Sequence, residues 1–293
     1  MNGSVFDLIA YDLNSMKIQH PVRLAILDMN NNVENMGITS LKRIADRFPV
    51  IEYEVFDVRY KREIPDLSFD IYLSSGGPGD PLEGDGLWDK DYFDLMDQLW
   101  EHNKKHEEKK FAFFICHSFQ MICHHMSIGQ LSLRKKESFG IVPVDITPDG
   151  ETDPLFMHLN NPFYGADFRR YEVIYPDPNR LEELNAKVTA LENPDLDIDD
   201  NRALMAVRFS NEWFGTQFHP EAHPDGMVHY LRRPEKKEMI VNQFGNHTYE
   251  EMMHNALHPD RLAHTRDLIL PVFIKEAVDQ ILAYSRDASP VLC

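Results

Sequence analysis

Three short apolar runs, each followed by an amphipathic stretch, constrain this chain more than any other feature. VRLAILDM (22–29) precedes NVENMGITSLKRIADRF (32–48), where Met36, Leu41, Ile44 and Phe48 recur at helical spacing. FDIYLSS (69–75) precedes LWDKDYFDLMDQLWEHNKKHEEK (87–109), which carries Tyr92, Leu95, Met96 and Leu99 on one face. FAFFI (111–115) runs directly into HSFQMICHHMS (117–127), and EYEVFDV (52–58) alternates as a further strand. Strands alternating with helices of this length predict a doubly wound, mostly parallel sheet, with right-handed crossovers placing helices on both faces. In such sheets ligands bind beyond the carboxyl ends of the strands.

From residue 131 the rhythm changes. FGIVPVDI (139–146), RRYEVIY (169–175), KVTALE (187–192), ALMAVRFS (203–210) and EWFGTQF (212–218) read as shorter strands that finish the sheet and add an antiparallel section. NPDLDIDDN (193–201) reads as an acidic surface loop. Beyond HPEAHPDGM (219–227), MIVNQFGNHTYEEMMHNAL and LILPVFIKEAVDQILAYS read as helices. The chain therefore divides into an N-terminal extension (1–21), a sheet domain (22–226) and a helical C-terminal extension (227–293).

Charge and cysteine usage exclude several roles. A formal charge of −18 repels nucleic acid and anionic membranes. The basic segments LRKK (133–136) and LRRPEKK (231–237) are short and read as solvated surface. No apolar run approaches the length of a membrane span. The first residues lack a basic region followed by an apolar core, so no secretory signal is expected. Three cysteines without framework spacing favour thiols in a reducing compartment, which points to the cytoplasm.

Two of the predicted strand ends carry unusual chemistry. In FAFFICHSFQ, Cys116 sits where a buried strand meets a helix. By itself such a cysteine is more often a small core residue, as Cys123 two turns later is expected to be. The junction nevertheless offers two advantages to a nucleophile. The helix N-terminus favours the thiolate, and a tight turn projects the sulfur out of the sheet. The amide of His117 would point into the same space and could donate to an oxyanion. In SSGGPGDP (74–81), Gly76 and Gly77 permit backbone angles closed to other residues and let a substrate approach the main chain. The Gly77 amide is a candidate second oxyanion donor, and losing such a donor costs roughly 10²–10³ in rate. A nucleophilic cysteine also needs a base. His219 ends the strand of GTQF and is followed by Pro220 and Glu221, so the carboxylate can hold one ring nitrogen while the other faces the thiol.

Loop, cysteine turn and HPE, in this order, resemble the class I glutamine amidotransferase domain of the Cys-His-Glu triad type, as in a GMP-synthase glutaminase. The family's GGPG-like loop, G-[IV]-C-x-G-x-Q elbow and FHPE ending correspond to SSGGPGDP, FICHSFQ and TQFHPEA over roughly residues 22–222. The resemblance implies a flavodoxin-like fold, with Cys116 as nucleophile, His219 as general base and acid, and Glu221 orienting it. It further implies that Gly77 and His117 form the oxyanion hole and that Gly76 and Gln120 hold the substrate glutamine. Two positions depart from the pattern: Phe114 and Ser118 stand where the elbow has glycines. Phe114 must turn its ring into the core or alter the turn.

The resemblance implies a cysteine-dependent amidohydrolase working through a thioester. No nucleotide motif accompanies it, so no cofactor is expected, and the ammonia would pass to a separate synthetase. A γ-glutamyl peptidase or hydrolase on the same fold is an alternative, as is a non-catalytic regulatory or binding protein. No metal is expected. His219, Glu221 and His223 lie close in sequence, but two prolines prevent the helix that H-E-x-x-H requires. The helical tail could cover the cleft, contact the synthetase or form a homo-oligomer.

Overall fold

One nine-stranded sheet organises the chain in a computed structural model that describes residues 21–194 and 201–287. Residues 1–20 of the N-terminal extension, most of the 193–201 loop and Cys293 lie outside the described residues. The strands are β1 (Val22–Asp28), β2 (Ile51–Asp57), β3 (Ile71–Ser74), β4 (Phe111–Ile115), β5 (Gln130–Ile146), β6 (Phe163–Ile174), β7 (Lys187–Glu192), β8 (Leu204–Arg208) and β9 (Trp213–Thr216). Their spatial order is β2-β1-β3-β4-β9-β8-β7-β5-β6. The first four pairings are parallel and the last four antiparallel.

The period of two in the strands sorts the core into layers. Leu24 and Ile26 of β1 face one layer, shared with Ile44 of α1 (Met36–Ala45) and Ile269 and Phe273 of α9 (Pro259–Asp287). Ala25 and Leu27 face the other, shared with Tyr92 and Leu95 of α2 (Trp88–Lys105) and Phe119 and Ile122 of α3 (His117–His125). The expected helices on both faces are therefore present. Every residue of β4 is buried, as a continuous apolar run at the centre of a parallel sheet requires.

Two short helices not predicted from the sequence, α4 (Pro148–Glu151) and α5 (Pro178–Leu184), begin at prolines after the capping side chains of Thr147 and Asp177. The C-terminal region forms α6 (Pro224–Arg232), α7 (Pro234–Phe244), α8 (Asn246–Leu257) and α9. Helices α6 to α8 bury Met227, Leu231, Ile240 and Met252 against Ile141 of β5 and Ala166 of β6. The apolar LILPVFI stretch of α9 instead covers the main sheet.

β5 begins nine residues earlier than the FGIVPVDI signal, because its N-terminal half pairs with β6 across a register shift between Leu133 and Ser138. LRKK thus lies inside a strand rather than on a fully solvated surface. The Arg134 side chain is only 8 % exposed and pairs with Glu172 and Glu192. Arg169 of β6 joins the same network through Asp167 at 2.8 Å and Glu192 at 2.9 Å.

Candidate active site

Four strands deliver the candidate site from one edge. The β1 loop (29–35), the SSGGPGDP loop after β3, the turn at the end of β4 and the loop after β9 all leave the carboxyl ends of parallel strands. At the β4 turn, Cys116 adopts φ 50° and ψ −102°, a left-handed conformation rarely accepted by a residue with a side chain. The strain is held on both sides: the Cys116 amide donates to Thr216 O at 2.8 Å, and its carbonyl accepts from the Gln120 amide at 3.0 Å.

The two departures from the elbow pattern have physical solutions. Phe114 turns its ring into the core, 5.3 Å from the Trp213 ring and 6.0 Å from that of Phe209. Ser118 uses its hydroxyl as a staple: Oγ accepts from the Ile115 amide at 2.9 Å and donates to Ser74 O at 2.8 Å. The elbow is thereby tied to the end of β3.

His219 and Glu221 are brought to the same place. The His219 amide donates to Ala166 O at 2.8 Å, an isolated antiparallel bridge that fastens the loop after β9 to β6. The imidazole Nδ1 lies 2.8 Å from Glu221 Oε1, and the carboxylate is 4 % exposed. The Cys116 side chain and the ring flank the same glycine, and the sulfur is near enough for its charge to act on the imidazole. Burial disfavours the imidazolium, but the Glu221 carboxylate, followed by the charge of Cys116, outweighs it and holds the His219 pKa well above its ordinary value.

The glycines of the β3 loop are required by close approach. A methyl group added at Gly76 would stand 2.7 Å from His219 Cε1 and 3.4 Å from Cys116 Cβ. One added at Gly77 would stand 2.2 Å from Met29 O. The positive φ in this loop falls on Gly79, at 95°, and not on Gly76 or Gly77. Among the described residues, neither the Gly77 nor the His117 amide has a hydrogen-bond acceptor. Arg59 supports the loop from below, donating to Pro78 O at 2.6 Å and to Met29 O at 3.2 Å.

These groups surround a hollow of about 250 Å³ bordered by Gly77, Cys116, His117, Gln120, Phe168 and Tyr171. Cys116 is only 5 % exposed, yet it forms part of this wall and is not sealed in the core. The His117 ring is buried, and Arg59 lies near enough for its charge to act; both effects, with burial the larger, lower the His117 pKa to about 3 against a weaker pull from Asp80. Cys123, by contrast, is wholly within the core, where burial pushes its thiol pKa well up. No group of three or more metal-ligating side chains is assembled among the described residues. Among them, no helix is long and apolar enough to cross a membrane.

The structure thus lines one hollow with Cys116, Gly77, His117 and Gln120, and sets Gly76 and His219 beside Cys116, with Glu221 paired to the imidazole. Sequence reasoning missed Gln217, whose Nε2 donates to Cys116 Sγ at 3.7 Å, and Arg59. Gln217 gave no local signal, because it lies in the turn just past β9, where strand alternation no longer holds. Arg59 gave no signal, because only the tertiary fold carries it beneath the glycine loop.

Comparison with known proteins agrees with this fold. A glutamine amidotransferase from Thermotoga maritima superposes with a TM-score of 0.63 at 14 % identity, covering 89 % of this chain and 99 % of its own. The glutaminase domain of Trypanosoma brucei CTPS, solved with acivicin, superposes with a TM-score of 0.50 at 15 % identity, covering 68 % and 86 %. At such identities the likeness shows the fold. No curated protein matches by sequence. The sequence profile described as "Glutamine amidotransferase class-I" matches residues 26–244, well over half of the chain. The chain belongs to the class I glutamine amidotransferase family.

Proposed function

We propose that this chain releases ammonia from the side-chain amide of glutamine through Cys116. The observation that carries the reading is convergence: a strained cysteine, flanked by a histidine with a carboxylate 2.8 Å behind it, lines one hollow with two residues whose amides are unpaired. At about 250 Å³ the hollow is smaller than the roughly 300–1,000 Å³ typical of drug-sized ligands, which suits an amino acid.

In the proposed reaction the Cys116 thiolate attacks the amide carbon. The carbonyl oxygen gathers negative charge and accepts from the Gly77 and His117 amides. His219, protonated and oriented by Glu221, gives its proton to the departing nitrogen, and the C–N bond breaks to leave a glutamyl thioester and ammonia. His219 then takes a proton from water, which attacks the thioester, and glutamate leaves as the thiolate returns. The ammonia passes to a synthetase on another chain, a reading supported by the likeness to a CTPS glutaminase domain.

Ammonia release from glutamine tests the proposal. Cys116→Ala should abolish it, and turnover that survives this substitution would refute the role of the thiol. Cleavage of γ-glutamyl peptides without ammonia release from glutamine would instead favour a γ-glutamyl hydrolase.

A further inference from the structure

A second line of polar contacts, separate from the His219–Glu221 pair, reaches the sulfur. Gln217 is completely buried in the turn after β9, its backbone fixed by donation to Met205 O at 2.8 Å. Its side-chain Nε2 donates to Cys116 Sγ at 3.7 Å. Its Oε1 accepts from Gln120 Nε2 at 2.9 Å, and that nitrogen also donates to Tyr171 O at 2.8 Å.

The direction of this chain of bonds is dictated from its far end. A backbone carbonyl can only accept, so Tyr171 obliges Gln120 to present its NH₂ group. That group obliges Gln217 to answer with its carbonyl oxygen. The remaining face of the Gln217 amide, which can only donate, is left for the sulfur. A donor fixed at 3.7 Å stabilises a thiolate more than a neutral thiol, and it does so without introducing a counter-charge.

We infer that Gln217 is a further catalytic residue of this site, a neutral donor that stabilises the Cys116 thiolate, with its polarity set by Gln120 and the Tyr171 carbonyl. Gln120 then acts as a positioning residue: its amide nitrogen is committed to Tyr171 and Gln217, and only its Oε1 is left for a substrate. The inference rests on the reading of Cys116 as the nucleophile.

The test measures the sulfur directly. Iodoacetamide alkylates Cys116 as the thiolate displaces iodide, and peptide mass spectrometry of the full chain follows the rate across pH. The charged and titratable groups around the sulfur stay in place throughout: His219 and Glu221 from the loop after β9, Arg170 and Glu137 across the hollow, and His117 with Arg59 and Asp80 behind it. Gln217→Met, which fills the volume without a donor, should raise the alkylation midpoint by about one pH unit. Gln217→Glu, nearly isosteric but presenting a carboxylate, should raise it further. Gln120→Met, which frees Gln217 to turn its carbonyl toward the sulfur, should move it in the same direction without altering thermal unfolding as a whole-core defect would. Should Gln217→Met fail to fold, Gln217→Glu carries the test.

An unchanged midpoint in the folded Gln217 variants overturns the inference. A wild-type chain that is alkylated at Cys116 but releases no ammonia from glutamine overturns the glutaminase reading instead, so the two failures are separate.

Discussion

At the scale of single residues, the site depends on the company each group keeps. His219 is half-buried, its side chain 18 % exposed, and loss of water around it alone would favour the neutral ring. Glu221 at 2.8 Å and the neighbouring sulfur reverse that preference. This gives a pH prediction with a definite sign. In the proposed reaction His219 must carry a proton to ammonia, so kcat falls as pH climbs through its raised pKa. Glu221→Gln removes the strongest of the groups that raise the pKa and leaves burial unopposed by it. The alkaline limb of kcat should therefore move to lower pH, as a rate profile would read. A limb that stays in place would mean that Glu221 does not set the proton affinity of the ring. His117 shows the opposite balance. Burial and the Arg59 charge hold it at about 3, so it stays neutral over the working range and leaves its amide to act.

At the scale of elements, the β4–α3 elbow replaces the freedom of glycine with specific contacts. Ser118 ties the Ile115 amide to Ser74 O, and Phe114 is packed against Trp213. Ser118→Ala should strand the Ile115 amide and the Ser74 carbonyl in a buried setting and cost about 1–3 kcal/mol, read as a lowered midpoint in thermal unfolding. A midpoint equal to wild type would show that the staple is dispensable. The elbow was legible only in combination: FAFFIC alone reads as core, and the glycine loop before it and HPE after it gave the cysteine turn its meaning. The HPE ending was legible because proline fixes the relation of His219 to Glu221. The length of β5 was not legible. Its first half is held by pairing with β6 and by ion pairs of Arg134, and both partners lie more than thirty residues away. Local pattern reports a polar stretch there, and tertiary pairing decides its conformation.

At the scale of the whole molecule, one sheet carries two kinds of work. Its parallel half aligns the ends of β1, β3, β4 and β9 at one edge, and its antiparallel half supplies β6 as a wall over the sulfur. That strand is held to β7 by a buried network in which the Arg169 side chain, 1 % exposed, lies between Asp167 and Glu192. Arg169→Met should leave the Asp167 carboxylate buried and uncompensated, while Glu192 keeps Arg134, at a cost of about 3–5 kcal/mol in urea unfolding. A loss under about 1 kcal/mol would show that the network rearranges. The apolar stretch of α9 was visible in the sequence, but its docking face was not: hydrophobicity alone does not say which layer of a doubly wound sheet a late helix will cover.

The central claim is that Cys116 becomes covalently glutamylated during turnover. The most direct measurement is acid quenching of the chain as it turns over glutamine, followed by peptide mass spectrometry. The account predicts a glutamyl adduct on the peptide carrying Cys116, absent from the Cys116→Ala variant. Steady release of ammonia with no adduct on Cys116 at any quench time would contradict it.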